Sequence, residues 1–324
     1  MSKDTMGFTS SWAPFLAGFI REKRACGYCY ETQVKNLRPL DRWWSEPSAR
    51  PSLSCVWAER FIAVHPGEAP GGPLHRATLW RELARYGLRQ GMDAYVPPFD
   101  TQPRAPHSFI PYIYTRGELQ TLFATVDGLP YHNRQSPRRT CTLSLLLRLL
   151  YGAGLRLGEA LGLRHGDIDL REGVLTVRHG KRQKDRLVPL ALGLAERVAA
   201  YCRRFPGAAA DPLFLSSPGR RALHHSTVQG FFPKLLQRAG LPPRRGRHGP
   251  RLHDLRHSYA VHRLESWHRA GEDLEAKLPI LSAYLGHTTL RDTYYYLRIT
   301  ASFFPEITRR LEAFTGDVIP GAQP

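Results

Sequence analysis

The groups best suited to chemistry lie in the second half of the chain and match the needs of phosphoryl transfer. That reaction needs a nucleophile, donors for the phosphate oxygens and an acid for the leaving oxygen. The segment His253-Asp-Leu-Arg256-His257 supplies imidazole and guanidinium groups. Residues three apart share one face of a helix, so His253 and Arg256 can reach the same phosphate.

Three consecutive tyrosines, numbered 294 to 296, follow a second histidine, His287. Tyrosines are usually core or stacking groups. Leu290, Tyr294 and Leu297 form an apolar stripe with helical spacing, which predicts that Tyr294 is buried. Tyr295 and Tyr296 both leave that stripe, and periodicity does not choose between them as the reactive residue.

Two earlier segments add cations. Gly154-Leu-Arg156-Leu-Gly-Glu159 places an arginine at the junction of two predicted helices, with a carboxylate three residues on that can orient the guanidinium. A lone arginine there is usually structural. A basic connection between two predicted strands contributes further cations: Lys181, Arg182 and Lys184. Positive groups suited to a phosphate therefore recur along this half of the chain.

A metal site is the main alternative for the histidines. Four of them are close in sequence: His248, His253, His257 and His262. However, no glutamate follows His253 as it does in zinc peptidases, and the adjacent arginines would repel a cation. Cys26 and Cys29 have ligand spacing but lack a second cysteine pair. We therefore expect neither a metal nor another cofactor.

The composition indicates a polyanionic partner. The 324 residues include 46 Lys and Arg against 28 Asp and Glu, a net charge of +18, and neutralising phosphates releases their condensed counterions. With 42% hydrophobic residues the chain is predicted to fold rather than to remain a basic tail. Five scattered cysteines favour a reducing compartment, and no segment is long and apolar enough to span a bilayer, so we expect a cytoplasmic protein.

Length and pattern together predict two domains. Residues 1–96 contain about four amphipathic segments and predict a helical bundle with many arginines on its outer faces. Residues 97–111 are rich in proline and predict an extended linker. Residues 112–324 predict a second domain, in which Thr115-Arg-Gly-Glu118 has the form of a capping box.

The second domain is predicted to be mainly α with a small β-hairpin or sheet, an α+β fold. Apolar β-branched runs predict strands at residues 173–178 and 186–190. Helical periodicity covers most of the rest: residues 140–150, a helix from about Leu157, and residues 192–205, 226–239, 252–267, 278–285, 289–299 and 305–314.

Taken in order, these motifs resemble those of the tyrosine recombinases, also called the phage integrase family. The matching segments are Gly154-Leu-Arg156-Leu-Gly-Glu159, Gly180-Lys181, His253-Asp-Leu-Arg256-His257, Leu285-Gly-His287 and Tyr296. The resemblance runs from about Thr115 to the C-terminus, while the N-terminal bundle resembles the family's core-binding domain by architecture. It implies that this bundle and a catalytic domain form a clamp on DNA.

The resemblance also implies a role for each matched residue. Arg156 and Arg256 would hold the scissile phosphate, with His253 assisting proton transfer at the tyrosine. Lys181 would protonate the leaving 5′ oxygen, and His287 would donate a hydrogen bond to the phosphate. In the family pattern the tyrosine stands nine residues after the histidine of Leu-Gly-His, which selects Tyr296. Further residues are candidates for support or DNA contact: Glu159, Asp254 and Lys184 for support, and Arg182, Arg244, Arg245 and Arg247 for DNA.

Two departures from the family pattern affect these expectations. The predicted hairpin reads Gly-Lys181-Arg-Gln-Lys184 where the family often has Gly-Lys-Gly-x-Lys, so Lys184 is an alternative acid. The interval from His257 to His287 is several residues longer than usual. It is predicted to be a surface insertion that leaves the pocket intact.

The implied function is site-specific recombination of double-stranded DNA through a 3′-phosphotyrosyl intermediate, without metal or ATP, for integration, excision or transposition of a mobile element. The implied assembly is a homotetramer on DNA, with other recombinases or DNA-bending proteins as further partners at the nucleoid. The amphipathic segment from Phe303 to Phe314 could dock on a neighbour or pack on its own domain. A type IB-like topoisomerase and a catalytically silent DNA-binding protein of the same fold are the alternatives.

Overall fold

The structure is a computed structural model that describes residues 6–68, 71–98, 111–129, 137–178, 185–216, 221–241 and 249–300. The chain divides into two compact units, Met1–Ser108 and Phe109–Pro324. Several predictions lie outside the described residues: those for Lys181, Arg182, Lys184, Arg244, Arg245 and Arg247, for most of the proline-rich linker, and for the segment from Phe303 to Phe314.

The first unit is a bundle of helices: α1 (Ala13–Ala25), α2 (Glu31–Trp44), α3 (Cys55–Ile62) and α4 (Gly72–Arg89). Its core is apolar, with Phe19, Leu37 and Trp80 fully buried. Asp41 is a buried exception, because its carboxylate accepts hydrogen bonds from the backbone N–H groups of Thr9 and Ser10 at 2.8 and 3.0 Å. Such bonds satisfy donors that would otherwise be unpaired where the chain enters α1.

The second unit surrounds a larger apolar core with helices and a small sheet. The elements are α5 (Arg116–Asp127), α6 (Pro137–Gly152), α7 (Leu157–Gly162), β1 (Ile168–Asp169), β2 (Val174–Val177), β3 (Arg186–Pro189), α8 (Leu192–Arg204), α9 (His225–Arg238), α10 (Leu252–Arg269), α11 (Leu274–Leu285) and α12 (Arg291–Ile299). This is the mainly helical α+β fold that the sequence predicts.

The capping box and the hairpin strands are both present. The Thr115 hydroxyl accepts from the Glu118 N–H at 3.2 Å, and the Glu118 carboxylate accepts from the Thr115 N–H at 2.7 Å. Strands β2 and β3 pair antiparallel, and β1, which the sequence patterns do not predict, pairs with the other edge of β2. The sheet therefore has the strand order β1-β2-β3 within the described residues.

The interval between His257 and His287 is only partly the predicted surface insertion. Its central turn is exposed, but most of its residues belong to α10, which ends at Arg269, and to α11, which begins at Leu274. Trp267 joins an apolar cluster that includes Leu278. The interval therefore contributes helix-on-helix contact as well as an exposed turn. No helix in the described segments combines the length and hydropathy required to cross a bilayer.

Candidate active site

Four elements of the second unit bring the predicted residues together. Arg156 precedes α7, while His253, Arg256 and His257 lie in the first two turns of α10. Two further groups complete the site: His287 in the turn after α11, and Tyr296 on α12. Helix α10 packs against α6, α11 and α12, which places its first turns between the other contributors.

Glycines shape the two turns that carry the motifs. Gly154 has φ +59° between α6 and α7, and a Cβ there would lie 2.8 Å from side-chain atoms of Leu285 and Tyr259. Gly286 has φ +66° at the C-terminal end of α11. Positive φ is accessible to glycine without steric cost. The glycine before Leu-Arg156 and the one before His287 are therefore required by backbone geometry and close packing.

The guanidinium of Arg156 is fixed by Glu159, as the sequence predicts. Arg156 Nη1 donates to Glu159 Oε1 at 2.7 Å, and the Arg156 backbone N–H donates to Glu159 Oε2 at 2.8 Å. Burial raises the pKa of Glu159, but hydrogen bonds and charge from Arg186 and Arg156 outweigh it and lower that pKa to about 2. Glu159 is therefore ionised at neutral pH, and the Arg156 side chain remains 27% exposed.

Arg256 is the most buried cation of the site, with 2% of its side chain exposed. It donates to the Gly154 carbonyl at 2.6 Å and to the Leu285 carbonyl at 2.7 Å. Burial, followed by repulsion from Arg156, lowers its pKa to about 10, so it stays protonated at neutral pH. A buried guanidinium with fixed partners is already oriented before any ligand arrives.

The Tyr296 hydroxyl lies inside this cationic pocket. It is 3.1 Å from His257 Nδ1, and its ring stacks at 20° on the His287 ring with centroids 6.0 Å apart. Burial raises the pKa of Tyr296, while charge and hydrogen bonding from Arg256 and charge from Arg156 act in the opposite direction. The tyrosine is 3% exposed and therefore enclosed, and a raised pKa keeps its hydroxyl protonated at neutral pH.

Two histidines of α10 lie edge to face, with the ring centroids of His253 and His257 4.6 Å apart. Burial, with charge from Arg256 and Arg251, lowers the pKa of His253 to about 4. Burial, with charge from His253 and the nearby arginines, lowers the pKa of His257 to about 3. Both rings are therefore neutral at pH 7. The ring in hydrogen-bond contact with the Tyr296 hydroxyl is that of His257.

The prediction that Tyr294 is buried is wrong. Tyr294 is 48% exposed and Leu290 44% exposed, whereas Thr293 and Tyr296 are buried. Helix α12 contacts α10 and α11 through the face that carries Tyr296. Threonine contributes to that buried face although it is polar, because Thr293 shares a 2.8 Å hydrogen bond with His287 Nδ1.

Asp254 supports the site through the start of α10. It is fully buried, and its carboxylate accepts from the Arg251 backbone N–H and from Arg251 Nη2, both at 2.8 Å. An aspartate in the first helical turn satisfies free N–H groups and opposes the helix dipole. Asp254 thus holds the N-terminus of the helix that carries His253 and Arg256.

Sequence reasoning missed two residues of this site as contributors. His257 is part of the His253 to His257 motif but is given no role there beyond a rejected metal site, yet its position four residues after His253 places it on the same helical face. Arg186 appears only as the first residue of a strand, yet it forms an ion pair with Glu159 and is 10% exposed. An arginine that opens a strand of otherwise apolar residues was the available signal.

Known proteins are similar to this chain in sequence. A sequence profile described as the phage integrase family matches residues 115–302. The chain is 36% identical over 274 residues to y4rB of Sinorhizobium fredii, named as an integrase/recombinase, which covers 82% of this chain and 85% of that one. It is 33% identical over 200 residues to the tyrosine recombinase XerA of Thermococcus kodakarensis, covering 61% of each chain.

Two solved structures share the fold. The XerH site-specific recombinase bound to a palindromic difH substrate superposes with a TM-score of 0.62 at 21% identity, covering 88% of this chain and 79% of that one. The Tn1549 transposon integrase in complex with transposon right end DNA gives a TM-score of 0.63 at 16% identity, covering 92% and 98%. At these identities the likeness establishes the arrangement of the helices and the small sheet.

Proposed function

Because this chain belongs to the phage integrase family of site-specific tyrosine recombinases, we propose that Tyr296 is the residue that cleaves DNA. Its phenolic oxygen attacks a phosphodiester, the bond to the 5′ oxygen breaks, and a 3′-phosphotyrosyl link and a free 5′ hydroxyl result. Attack by a 5′ hydroxyl from a partner strand reverses the step and releases the tyrosine. The supporting observation is the Tyr296 hydroxyl, 3.1 Å from an imidazole in a pocket lined by Arg156 and Arg256.

The two arginines are proposed to bind the scissile phosphate. Arg256 is held by carbonyls of Gly154 and Leu285, and Arg156 by Glu159. Oriented donors stabilise the charge that accumulates on the non-bridging oxygens in the transition state. Since Arg156 is the more exposed of the pair, the phosphate is expected to enter from its side.

Proton transfer is assigned to the histidines and to a lysine. His253 is proposed to assist at the tyrosine and His287 to donate a hydrogen bond to the phosphate. Lys181, with Lys184 as the alternative, is proposed to protonate the leaving 5′ oxygen. Because the energy of the phosphodiester is kept in the phosphotyrosyl link, the reaction is proposed to need neither ATP nor a metal ion.

Recombination joins two duplexes, so the active assembly is proposed to be a homotetramer on double-stranded DNA at the nucleoid. The core-binding unit and the catalytic unit would each contact the duplex, with the segment from Phe303 to Phe314 as the candidate contact between protomers. A role in moving a mobile element is supported by the likeness to the Tn1549 transposon integrase, which was solved with transposon end DNA.

The proposal is tested by trapping the covalent intermediate. Nicked duplexes tiled across the DNA that flanks the chain's own gene are incubated with protein in EDTA without ATP, then denatured and examined for protein-linked DNA. An adduct is expected for the wild-type chain and for Tyr295→Phe, and none for Tyr296→Phe. An adduct that survives Tyr296→Phe refutes the nucleophile, and absence of any adduct refutes the catalytic proposal. Cleavage of every duplex without site preference would favour the topoisomerase alternative.

A further inference from the structure

Three arginines from three different elements hold the C-terminal end of α11. They donate to three successive carbonyls: Arg186 Nε to Tyr284 at 2.9 Å, Arg256 Nη2 to Leu285 at 2.7 Å, and Arg156 Nη2 to Gly286 at 3.2 Å. The last carbonyls of a helix lack partners within the helix and carry its negative dipole end. The three guanidinium groups therefore fix the turn from which His287 projects.

The same three arginines surround one carboxylate. Arg186 binds Glu159 with a two-pronged contact, Nη1 to Oε1 at 3.0 Å and Nη2 to Oε2 at 2.9 Å. Arg156 shares Oε1 at 2.7 Å, and Arg256 Nη1 lies 3.8 Å from Oε2. Glu159 is 7% exposed and Arg186 10% exposed, so this charge cluster is largely shielded from water.

The charges of this cluster do not cancel. Three guanidinium groups meet one carboxylate, 3 − 1 = 2, which leaves an excess of two positive charges for an incoming phosphate. Without Arg186, the buried Glu159 carboxylate would have only Arg156 and Arg256 as cationic partners in this cluster. These two cations alone would then offset the charge of Glu159, and the positive field at the phosphate position would fall.

Gly286 also accommodates Arg186. A Cβ on Gly286 would lie 2.8 Å from Arg186 Nη1 and 3.0 Å from its Cζ, closer than a side chain tolerates. The turn before His287 and the Arg186 side chain therefore occupy complementary space. Arg186, the first residue of β3, therefore contacts the turn after α11 directly.

We propose that Arg186 is a positioning residue of the active site. Its positive charge compensates the negative charge of Glu159, so that the positive charges of Arg156 and Arg256 remain available to the phosphate. It also holds the turn that carries His287. It is not expected to touch DNA itself, because its guanidinium is occupied by Glu159 and by the Tyr284 carbonyl. The assignment rests on the proposed function of this site.

The test compares Arg186→Gln with a matched control, Arg148→Gln. Arg148 is 11% exposed, and it too donates to both oxygens of a carboxylate, that of Asp127, at 3.0 and 2.6 Å. The probe is the nicked duplex on which wild-type protein gives the most adduct, made with either a native phosphate or an uncharged methylphosphonate at the scissile position. Single-turnover cleavage at saturating protein and the thermal unfolding midpoint are measured for each variant.

With the native phosphate, Arg186→Gln is expected to lower the cleavage rate roughly 10- to 100-fold, as misplacement of catalytic groups does. With the methylphosphonate, the cleavage rate of Arg186→Gln is expected to lie within about 3-fold of the wild-type rate. An uncharged phosphonate carries less negative charge for oriented arginines to stabilise. Arg186→Lys, which keeps the charge but not the two-pronged geometry, should fall between. Arg148→Gln should lower the unfolding midpoint without a selective loss on the native phosphate.

A deficit of equal size on both substrates would overturn the assignment, since a general loss of structure does not distinguish them. A native-phosphate rate within about 3-fold of wild type would overturn it as well, because misplaced catalytic groups cost more than that. In both cases a wild-type adduct that depends on Tyr296 leaves the proposed function standing. If wild-type protein forms no adduct on any duplex, the proposed function fails and the positioning role fails with it.

Discussion

The two units of the chain place their charges differently. In the N-terminal bundle the centre is apolar around Phe19 and Trp80, the buried charged groups Asp41 and Arg81 are paired with backbone groups, and ion pairs such as Arg89–Glu22 lie at the surface. In the C-terminal unit Arg256 is 2% exposed and Glu159 7% exposed. Burying ions costs several kcal/mol each before partners compensate. The second unit therefore gives up stability to hold cations in fixed positions, which is what phosphate chemistry requires.

The largest effect is expected where a buried cation is removed. Arg256→Met should lower the unfolding free energy by about 3–5 kcal/mol, because it leaves the buried Gly154 and Leu285 carbonyls without their donor, and it should lower cleavage by roughly 100-fold or more. Arg89→Met in the bundle should cost about 1 kcal/mol or less. Chemical denaturation and the adduct assay measure both. Similar stability losses at the two positions would remove the contrast between the units.

A second effect is a difference in pH response. The folded-state pKa of Glu159 is about 2, below its ordinary value, so its stabilising contribution is present above about pH 5 and is lost as pH falls toward 2. Glu159→Gln should remove about 2–3 kcal/mol at pH 7 and flatten this acid dependence. Hydrogen bonding from Arg76 also lowers the pKa of Glu68 in the bundle to about 2, but its side chain is 19% exposed, so Glu68→Gln should change stability less and in a salt-sensitive way. Denaturant titrations at several pH values would contradict this if the two variants behaved alike.

A smaller effect on cleavage is expected from substitution of His257, whose ring is in hydrogen-bond contact with the Tyr296 hydroxyl. His257→Phe removes the hydrogen-bond partner of the Tyr296 hydroxyl while keeping a ring of similar shape. We expect cleavage to fall about 10-fold or more, with DNA affinity unchanged in a filter-binding assay. His253→Phe provides the comparison on the same helix. If only the His253 variant lost activity, the contact with His257 would have no part in the reaction.

The smallest effect is expected on the solvent face of α12. Tyr294 is 48% exposed, and Tyr294→Phe should change the unfolding free energy by less than about 0.5 kcal/mol and leave the adduct yield intact. Denaturation and adduct trapping on the same preparation check this. A loss of cleavage would mean that the buried and exposed faces of α12 exchange roles when DNA binds.

Patterns of neighbouring residues predicted the helices and strands, but they could not predict contacts between residues that are far apart in sequence. The Thr115 capping box and the strands around Leu175 and Val188 follow from residues that are neighbours in sequence or share a period. Arg186 lies 27 residues from Glu159 and 98 from Tyr284, and no periodicity links such positions. The error at Tyr294 has a related cause, because a buried threonine fills the inward face of α12.

The order of the site residues was accessible from sequence because each lies in a short motif. Arg156, His253, Arg256 and His287 do converge on Tyr296 in one unit. What spacing alone left open was which tyrosine faces the arginines. In this structure Tyr296 is buried and receives charge and hydrogen bonding from Arg256, whereas Tyr295 is only partly buried.

The most direct test is to locate the covalent bond itself. Trypsin cleaves after Arg291 and Arg298, so one peptide, residues 292–298, carries all three tyrosines. Adduct trapped on a nicked duplex is digested with nuclease and trypsin, and the peptide is fragmented in a mass spectrometer to place the remaining nucleotide. The nucleotide is expected on Tyr296. Its presence on Tyr294 or Tyr295, or on any other peptide, would contradict the assignment of Tyr296 as the nucleophile.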